Sequence, residues 1–311
     1  MERRREVTDV VEPTATSDGA GVRLRRSIAT RRIDFLDPFL LFDQFGSDDP
    51  KDYLAGFPMH PHRGIETITY MLDGSVAHRD SLGNSGVIGA GDVQWMTAGS
   101  GILHEEMPRV GPRRLDGFQV WVNLPARLKM TRPRYQDLSA ARIPEVRRAD
   151  GAVIRVVAGE VDGVAGAVTE IHAEPEYLDV WLPAGIGFSQ PVPRGHAAFA
   201  YAFEGEGQFG VGCDPGDRGD LDGELLSAPR MAVFGDGDEV RVEARGCAVR
   251  FLLVSGKPLG EPIARYGPFV MNTREELQLA LRDLQNDTFV WRDDAEWART
   301  RRTWSPDARS R

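Results

Sequence analysis

An all-β fold made of two related halves is what this sequence predicts, and three observations carry the prediction. Glycine (34) and proline (20) are scattered evenly through 311 residues, so the apolar runs between them are short. That is the punctuation of many strands joined by turns. Several of those runs alternate apolar and polar side chains with period two, as half-buried strands do. Finally, short stretches of the first half recur in the second.

In chain order the strand-like runs are Thr67–Leu72, Val87–Ile88, Val93–Met96, Phe118–Leu124, Val153–Val157, Tyr177–Leu182, Ala198–Phe203, Met231–Phe234 and Ala248–Val254. The alternation is cleanest over Phe118–Leu124, where Phe118, Val120, Val122 and Leu124 share one face and Gln119 and Asn123 lie on the other. One helix is expected near the C-terminus. Thr273-Arg274-Glu275-Glu276 has the form of a capping box, and Leu277, Leu281 and Leu284 then form an apolar stripe.

The repeat is short but ordered. Tyr70-Met71-Leu72-Asp73-Gly74 matches Tyr201-Ala202-Phe203-Glu204-Gly205, an offset of 131 positions. Further on, Ile88-Gly89-Ala90-Gly91-Asp92 matches Phe234-Gly235-Asp236-Gly237-Asp238, with Gly and Asp suited to a tight turn. The expected organisation is a first barrel over 1–126, a polar Pro-containing linker over 127–149, a second barrel over 150–272, and a helix and tail over 273–311.

Composition narrows the function classes. Apolar residues make up 41% and charged residues 27%, as in a soluble globular protein. A formal net charge of −9 argues against a phosphate-backbone binder, so no nucleic-acid partner is expected. No apolar run approaches the ~20 residues of a membrane span. The charged start Met1-Glu2-Arg3-Arg4-Arg5-Glu6 lacks the apolar stretch of a secretory signal, which makes cytoplasmic residence the expectation. Cys213 and Cys247 read as two reduced thiols rather than a disulfide. Positive charge is carried almost wholly by arginine, since lysine occurs only at Lys51, Lys129 and Lys257.

Two strings carry chemistry: His60-Pro61-His62-Arg63-Gly64 and Gly101-Ile102-Leu103-His104-Glu105-Glu106. Each presents metal-ligand types at i and i+2, and strand side chains repeat every two residues. If both are strands lying side by side, His60, His62, His104 and Glu106 converge on one mononuclear metal. Three imidazoles and a carboxylate suit Fe(II), Mn, Co, Ni, Cu or Zn, and the absence of thiolates speaks against a structural zinc. The offset of 131 puts Pro191 and Pro193 where the first half has His60 and His62, so the second half is expected to lack the ligands. His172 and His196, its only histidines, read as surface or hydrogen-bonded residues.

With these residues in view the chain resembles the pirins, a two-barrel family of the cupin superfamily. The likeness rests on Leu36–Asp43, Phe57–Thr67, Gly91–His104, Gln119–Pro125 and Ile263–Thr273, in that order and almost end to end. It implies two jelly-roll barrels, with a metal, usually iron, in the first, held by His60, His62, His104 and Glu106. It also implies a dioxygenase that opens the ring of flavonols such as quercetin with O₂, as a quercetin 2,3-dioxygenase does. In that reaction Glu106 takes the substrate's hydroxyl proton. The partners would then be a small aromatic substrate and O₂. The alternative is a non-enzymatic, redox- or metal-sensing protein that regulates transcription factors or metabolic enzymes by binding them. A monomer suits a chain that already holds two barrels.

Around the ligands, Glu66 occupies a position where many cupins supply a further carboxylate. It either orients a ligating imidazole from behind or pairs with an arginine. Gln119 is a candidate for pointing into the barrel. Phe57, Met59, Met71, Trp95 and Met96 either shape a substrate cavity or pack in the core. Arg63 and Gly64 are read as structural. The segment Asp214–Glu224 reads as an exposed acidic, Gly-rich loop without calcium-loop spacing, and Trp291, Trp297 and Arg299–Arg302 as an appendage unlike the family.

Overall fold

A computed structural model of the chain describes residues 3–111, 114–169, 171–212 and 223–291. Cys213, nearly all of the acidic Gly-rich segment, Trp297 and the Arg299–Arg302 run lie outside the described residues. Among the described residues no helix is long and apolar enough to cross a membrane.

Strands β1 (Val7–Val11), β2 (Thr14–Asp18), β3 (Val22–Ile28), β4 (Phe39–Ser47), β5 (Phe57–His62), β6 (Ile65–Asp73), β7 (Ser75–Asp80) and β8 (Ser85–Gly89) open the chain. They are followed by β9 (Val93–Thr97), β10 (Ile102–Pro108), β11 (Leu115–Asn123) and β12 (Arg134–Leu138). Two compact units result. The N-proximal unit takes residues 15–35, 39–140 and the described residues from 259 onward; the C-proximal unit takes 3–14, 36–38 and the described part of 141–258.

The N-proximal unit is a jelly roll of two sheets, β12-β9-β6-β11-β4-β3-β2 and β5-β10-β7-β8. Central β6 is buried along nearly its whole length, whereas β11 alternates buried and half-buried residues. Val76 and Ile88 of the smaller sheet pack with Val22, Leu24, Phe45, Met71 and Leu115 of the larger side. In the C-proximal unit, a ten-stranded arrangement surrounds a core in which Phe251 meets Phe188 and Phe209 at 5.8 and 5.2 Å. Its strand Gly187–Pro191 pairs with Glu239–Glu243, and neither carries a histidine.

The division of the chain differs from a simple cut in the middle. Strand β1 pairs antiparallel with Arg230–Phe234, so the chain's start completes the C-proximal sheet. Arg5, fully buried, donates to the carbonyls of Pro193, His196 and Gly235 and fixes that start in place. The expected linker is strand at both ends. β12 pairs with β9 in one unit, and Glu145–Arg147 pairs with Val153–Ala158 in the other.

The helix α1 (Arg274–Gln285) starts at the capping box, with Thr273 and Glu276 bonding each other's backbone N–H. It belongs to the N-proximal unit and lays Leu277 and Ala280 against Met130, Phe269, Met271 and Phe289.

Candidate metal centre

The ligand strands are positioned by what happens just after His62. Gly64 has φ +81°, and a Cβ there would stand 2.0 Å from the Val270 carbonyl oxygen, so only glycine lets the C-terminal segment pack this close. The buried Lys129 ammonium donates to the carbonyls of Gly64 and Val270 (2.9 Å each) and to Asn123 Oδ1 (2.6 Å). Burial lowers its pKa to about 7. Arg63, also buried, donates to Asp283 Oδ2 at 2.7 Å and stacks 4.3 Å over the Phe289 ring. Charged side chains on both sides thus lock the end of β5.

β5 and β10 are antiparallel neighbours, with His104 opposite His60 and Ile102 opposite His62. The ring centroids are 4.4 Å apart for His60 and His104, 4.8 Å for His60 and His62, and 5.0 Å for His62 and His104. One nitrogen from each of the three lies within 4.8 Å of the others, the sole such group among the described residues. His60 Nδ1 sits 2.9 Å from the Pro58 carbonyl, which assigns its proton there and leaves Nε2 a lone pair. That lone pair faces His62 Nε2 at 3.0 Å. Two nitrogens so close require a proton or a cation between them. Ligands ~2.1 Å from one ion and at right angles would be about 3.0 Å apart.

Electrostatics keeps His62 and His104 as ligands rather than cations. Burial, and then the nearby imidazoles, push His62 and His104 well below the usual histidine range, against the Pro268 carbonyl at His62. Both ring nitrogens of His104 are buried without a hydrogen-bond partner. A buried polar atom with no partner calls for an explanation, and a divalent cation on neutral imidazoles supplies one. The residues present therefore fit a transition metal.

Glu106 stands outside that three-nitrogen group. An extra residue in β5 sets Glu106 opposite Phe57 rather than Pro58, while β10 pairs with β7 without a break through His104 and Glu106. Its Oε1 accepts from Thr69 Oγ1 at 3.0 Å and its Oε2 from Gln119 Nε2 at 3.2 Å. The structure thus brings together three of the four expected ligands, with the carboxylate beside them.

Glu66 lies on β6, outside the sheet of the ligand strands β5 and β10. Alternation from His62 does not carry across Arg63-Gly64, because β5 and β6 lie in different sheets. Fully buried, Glu66 accepts from Thr97 Oγ1 at 2.7 Å. Burial raises its pKa to about 7, opposed by the hydrogen bond from Thr97 and by the charge of Arg134. Met71, Trp95 and Met96 are core residues, Met59 is exposed, and Phe57 lines the cavity beside the histidines.

That cavity, about 540 Å³, is walled by Leu24, Leu41, Phe45, Phe57 and Trp121 and reaches His60, His62, Glu106 and Gln119. Sequence reasoning missed Thr69, Trp121, Arg26 and Arg265 here. Trp121 had a signal, since period two places it on the Gln119 face of β11. Its ring meets His62 edge-on at 5.0 Å. Arg265 had none.

Two jelly rolls in one chain, with a histidine cluster inside the first, define a bicupin. Relatives narrow the class. The pirin family profile matches residues 21–122, and that of the pirin C-terminal cupin domain matches 177–290. A pirin-like protein of Caulobacter vibrioides is 46% identical, covering 92% of this chain and 99% of its own. Human pirin is 42% identical over 92% of this chain and 94% of its own. The crystal structure of a quercetin 2,3-dioxygenase from Acinetobacter baumannii superposes with a TM-score of 0.81 at 34% identity, covering 92% of this chain and 98% of the other. This chain belongs to the pirin family.

Proposed function

We propose that this pirin is a metal-dependent dioxygenase that cleaves flavonols with O₂, releasing carbon monoxide and a phenolic ester. The observation that carries the reading is the meeting of three imidazoles, two of them held neutral by burial, with His60 and His62 on the wall of a mostly apolar cavity large enough for a three-ring substrate. Likeness to the Acinetobacter quercetin 2,3-dioxygenase supports it.

His60, His62 and His104 would hold the ion, with Glu106 the fourth candidate ligand. A divalent transition metal there, iron(II) first and Mn, Co, Ni, Cu or Zn after it, would supply Lewis-acid and redox chemistry toward the substrate oxygen and O₂. The protein's own part is proton transfer and positioning. Glu106 accepts the proton of the flavonol 3-hydroxyl. Thr69 and Gln119, each donating to one of its oxygens, hold that carboxylate ready. Phe57, Leu24, Leu41 and Phe45 exclude water from the ring being opened.

The test starts from protein purified without an affinity tag. Elemental analysis should find about one ion per chain. Reconstitution with each candidate metal, followed by flavonol absorbance, O₂ uptake and carbon monoxide release, should find at least one active form. Bound metal without turnover in any form would overturn the dioxygenase and favour the metal-sensing, protein-binding alternative.

A further inference from the structure

The cavity that reaches the histidines is also lined by two arginines and two aspartates, Arg26, Arg265, Asp18 and Asp43. Arg26 is paired with both aspartates. Its Nε and Nη2 donate to Asp43 at 2.8 and 2.7 Å, and Nη2 also reaches Asp18 at 2.7 Å. Arg265 is different. Its half-buried guanidinium lines the cavity and donates to the Leu40 carbonyl at 3.0 Å. No carboxylate among the described residues pairs with it, although the charges of Asp34, Asp43 and Asp18 act on it from farther away. A guanidinium carries five N–H donors, so most of its capacity is open.

Arg265 also stacks 5.3 Å over the Trp121 ring, which on its own account touches His62. Stacking fixes the plane of the guanidinium, and a fixed plane favours forked pairing with an anionic oxygen group. One indole therefore separates the candidate metal site from an uncommitted cation inside the same cavity. A planar ligand lying in this cavity has both within its lining.

We propose that the cavity selects a planar aromatic substrate bearing an anionic oxygen substituent, which Arg265 pairs while its opposite end lies at the histidines. The proposal rests on the cavity being the substrate site of the dioxygenase reading. It narrows the substrate class from any flavonol-like ring system to the ionised members. A carboxylate and an ionised phenol share this chemistry.

Binding is read by quenching of tryptophan fluorescence, which does not depend on turnover. The probes are 3-hydroxyflavone, its 4′- and 7-carboxylates, and 3,7-dihydroxyflavone with its 7-methoxy counterpart, which cannot ionise at that position. Either carboxylate should bind at least about tenfold tighter than the parent, the worth of one charge-assisted hydrogen bond. If phenolates are also accepted, the dihydroxy compound gains on the methoxy compound as pH rises through its 7-hydroxyl ionisation. Arg265→Gln should erase these preferences, and Arg265→Lys should keep part of them. A thermal melt of each variant reports any loss of fold, but a merely structural arginine would not change the ratio between anionic and neutral ligands.

Equal binding of neutral and anionic probes by the native protein overturns the proposal, as does a preference that survives Arg265→Gln or binding of none of them. O₂ uptake separates the two readings. Tight, Arg265-dependent binding without uptake under any metal leaves the anion site standing and removes the dioxygenase. Uptake that treats neutral and anionic flavonols alike does the reverse.

Discussion

Burial decides the charge of two groups in opposite senses, and each gives a measurable consequence. At His62 and His104 it removes the proton and leaves lone pairs to bind a cation. Replacing His104 by Ala deletes one of three donors held on rigid strands. Metal affinity should fall by at least about a hundredfold, as elemental analysis after competition with a chelator would show. Glu106→Gln keeps the three imidazoles but cannot take a proton. It should retain metal while turnover drops by roughly 10²-fold or more. In the C-proximal unit burial instead holds a proton on. Glu176 accepts from Gln190 Nε2 at 2.6 Å and from Ser255 Oγ at 3.5 Å, yet desolvation outweighs both bonds and raises its pKa to about 8. Below the ordinary carboxyl value of 4.5 both folded and unfolded chains carry this proton. Between 4.5 and about 8 only the folded chain does, so its contribution to stability falls as pH rises and is fully lost above 8. Glu176→Gln should match the native protein near pH 4.5 and exceed it by about 2–4 kcal/mol around pH 7–8, read from urea unfolding across that range.

At the scale of elements, the site depends on how the end of β5 is clamped. Arg63 follows His62 directly and ties it to α1 through Asp283 and to the following segment through the Phe289 carbonyl and ring. Removing it leaves the partly buried Asp283 without its partner and the Phe289 carbonyl without a donor. Arg63→Ala should cost about 3–5 kcal/mol and lower Tm by on the order of 10 °C. The helix's own start is worth less. Thr273→Ala removes an exposed cap and should cost about 1 kcal/mol. Scanning calorimetry of the two variants ranks them, and the reverse order would mean that α1 is held by its cap and not by the strand it packs on. The order expected here follows from desolvation, which makes an unpaired buried charge far costlier than an exposed N–H returned to water.

For the molecule as a whole, local pattern was legible and distant pairing was not. Period two located the strand around Phe118–Leu124, found as β11, and the capping box located α1. Spacing at i and i+2 drew attention to the histidines, whose rings do meet. What failed to show was anything set by a break in the pattern. A register shift on β5 sets Phe57 rather than Pro58 opposite Glu106, and Arg63-Gly64 ends the alternation that would link His62 to Glu66. Arg265 enters the cavity from far along the chain. The Leu40 carbonyl that it donates to is 225 positions away, and no local signature encodes such a contact. The least legible feature is β1, whose Val-Thr-Asp-Val-Val carries no mark of its partner Arg230–Phe234. Its energetic weight can be tested by a chain lacking residues 1–11. That chain loses the strand hydrogen bonds along Arg230–Phe234 and the Arg5 donors to Pro193, His196 and Gly235. The apolar surface that Val7 and Val10 cover would be bared and the strand pairing lost to water, so the C-proximal unit should be destabilised by several kcal/mol. Hydrogen exchange should rise first at Arg230–Phe234, and the newly bared strand edge should promote self-association visible by light scattering. Unchanged exchange there would mean that β1 covers the sheet without stabilising it. The expected outcome follows from the depth of Arg5, because a guanidinium with no exposed surface is held by its carbonyls and holds them in return.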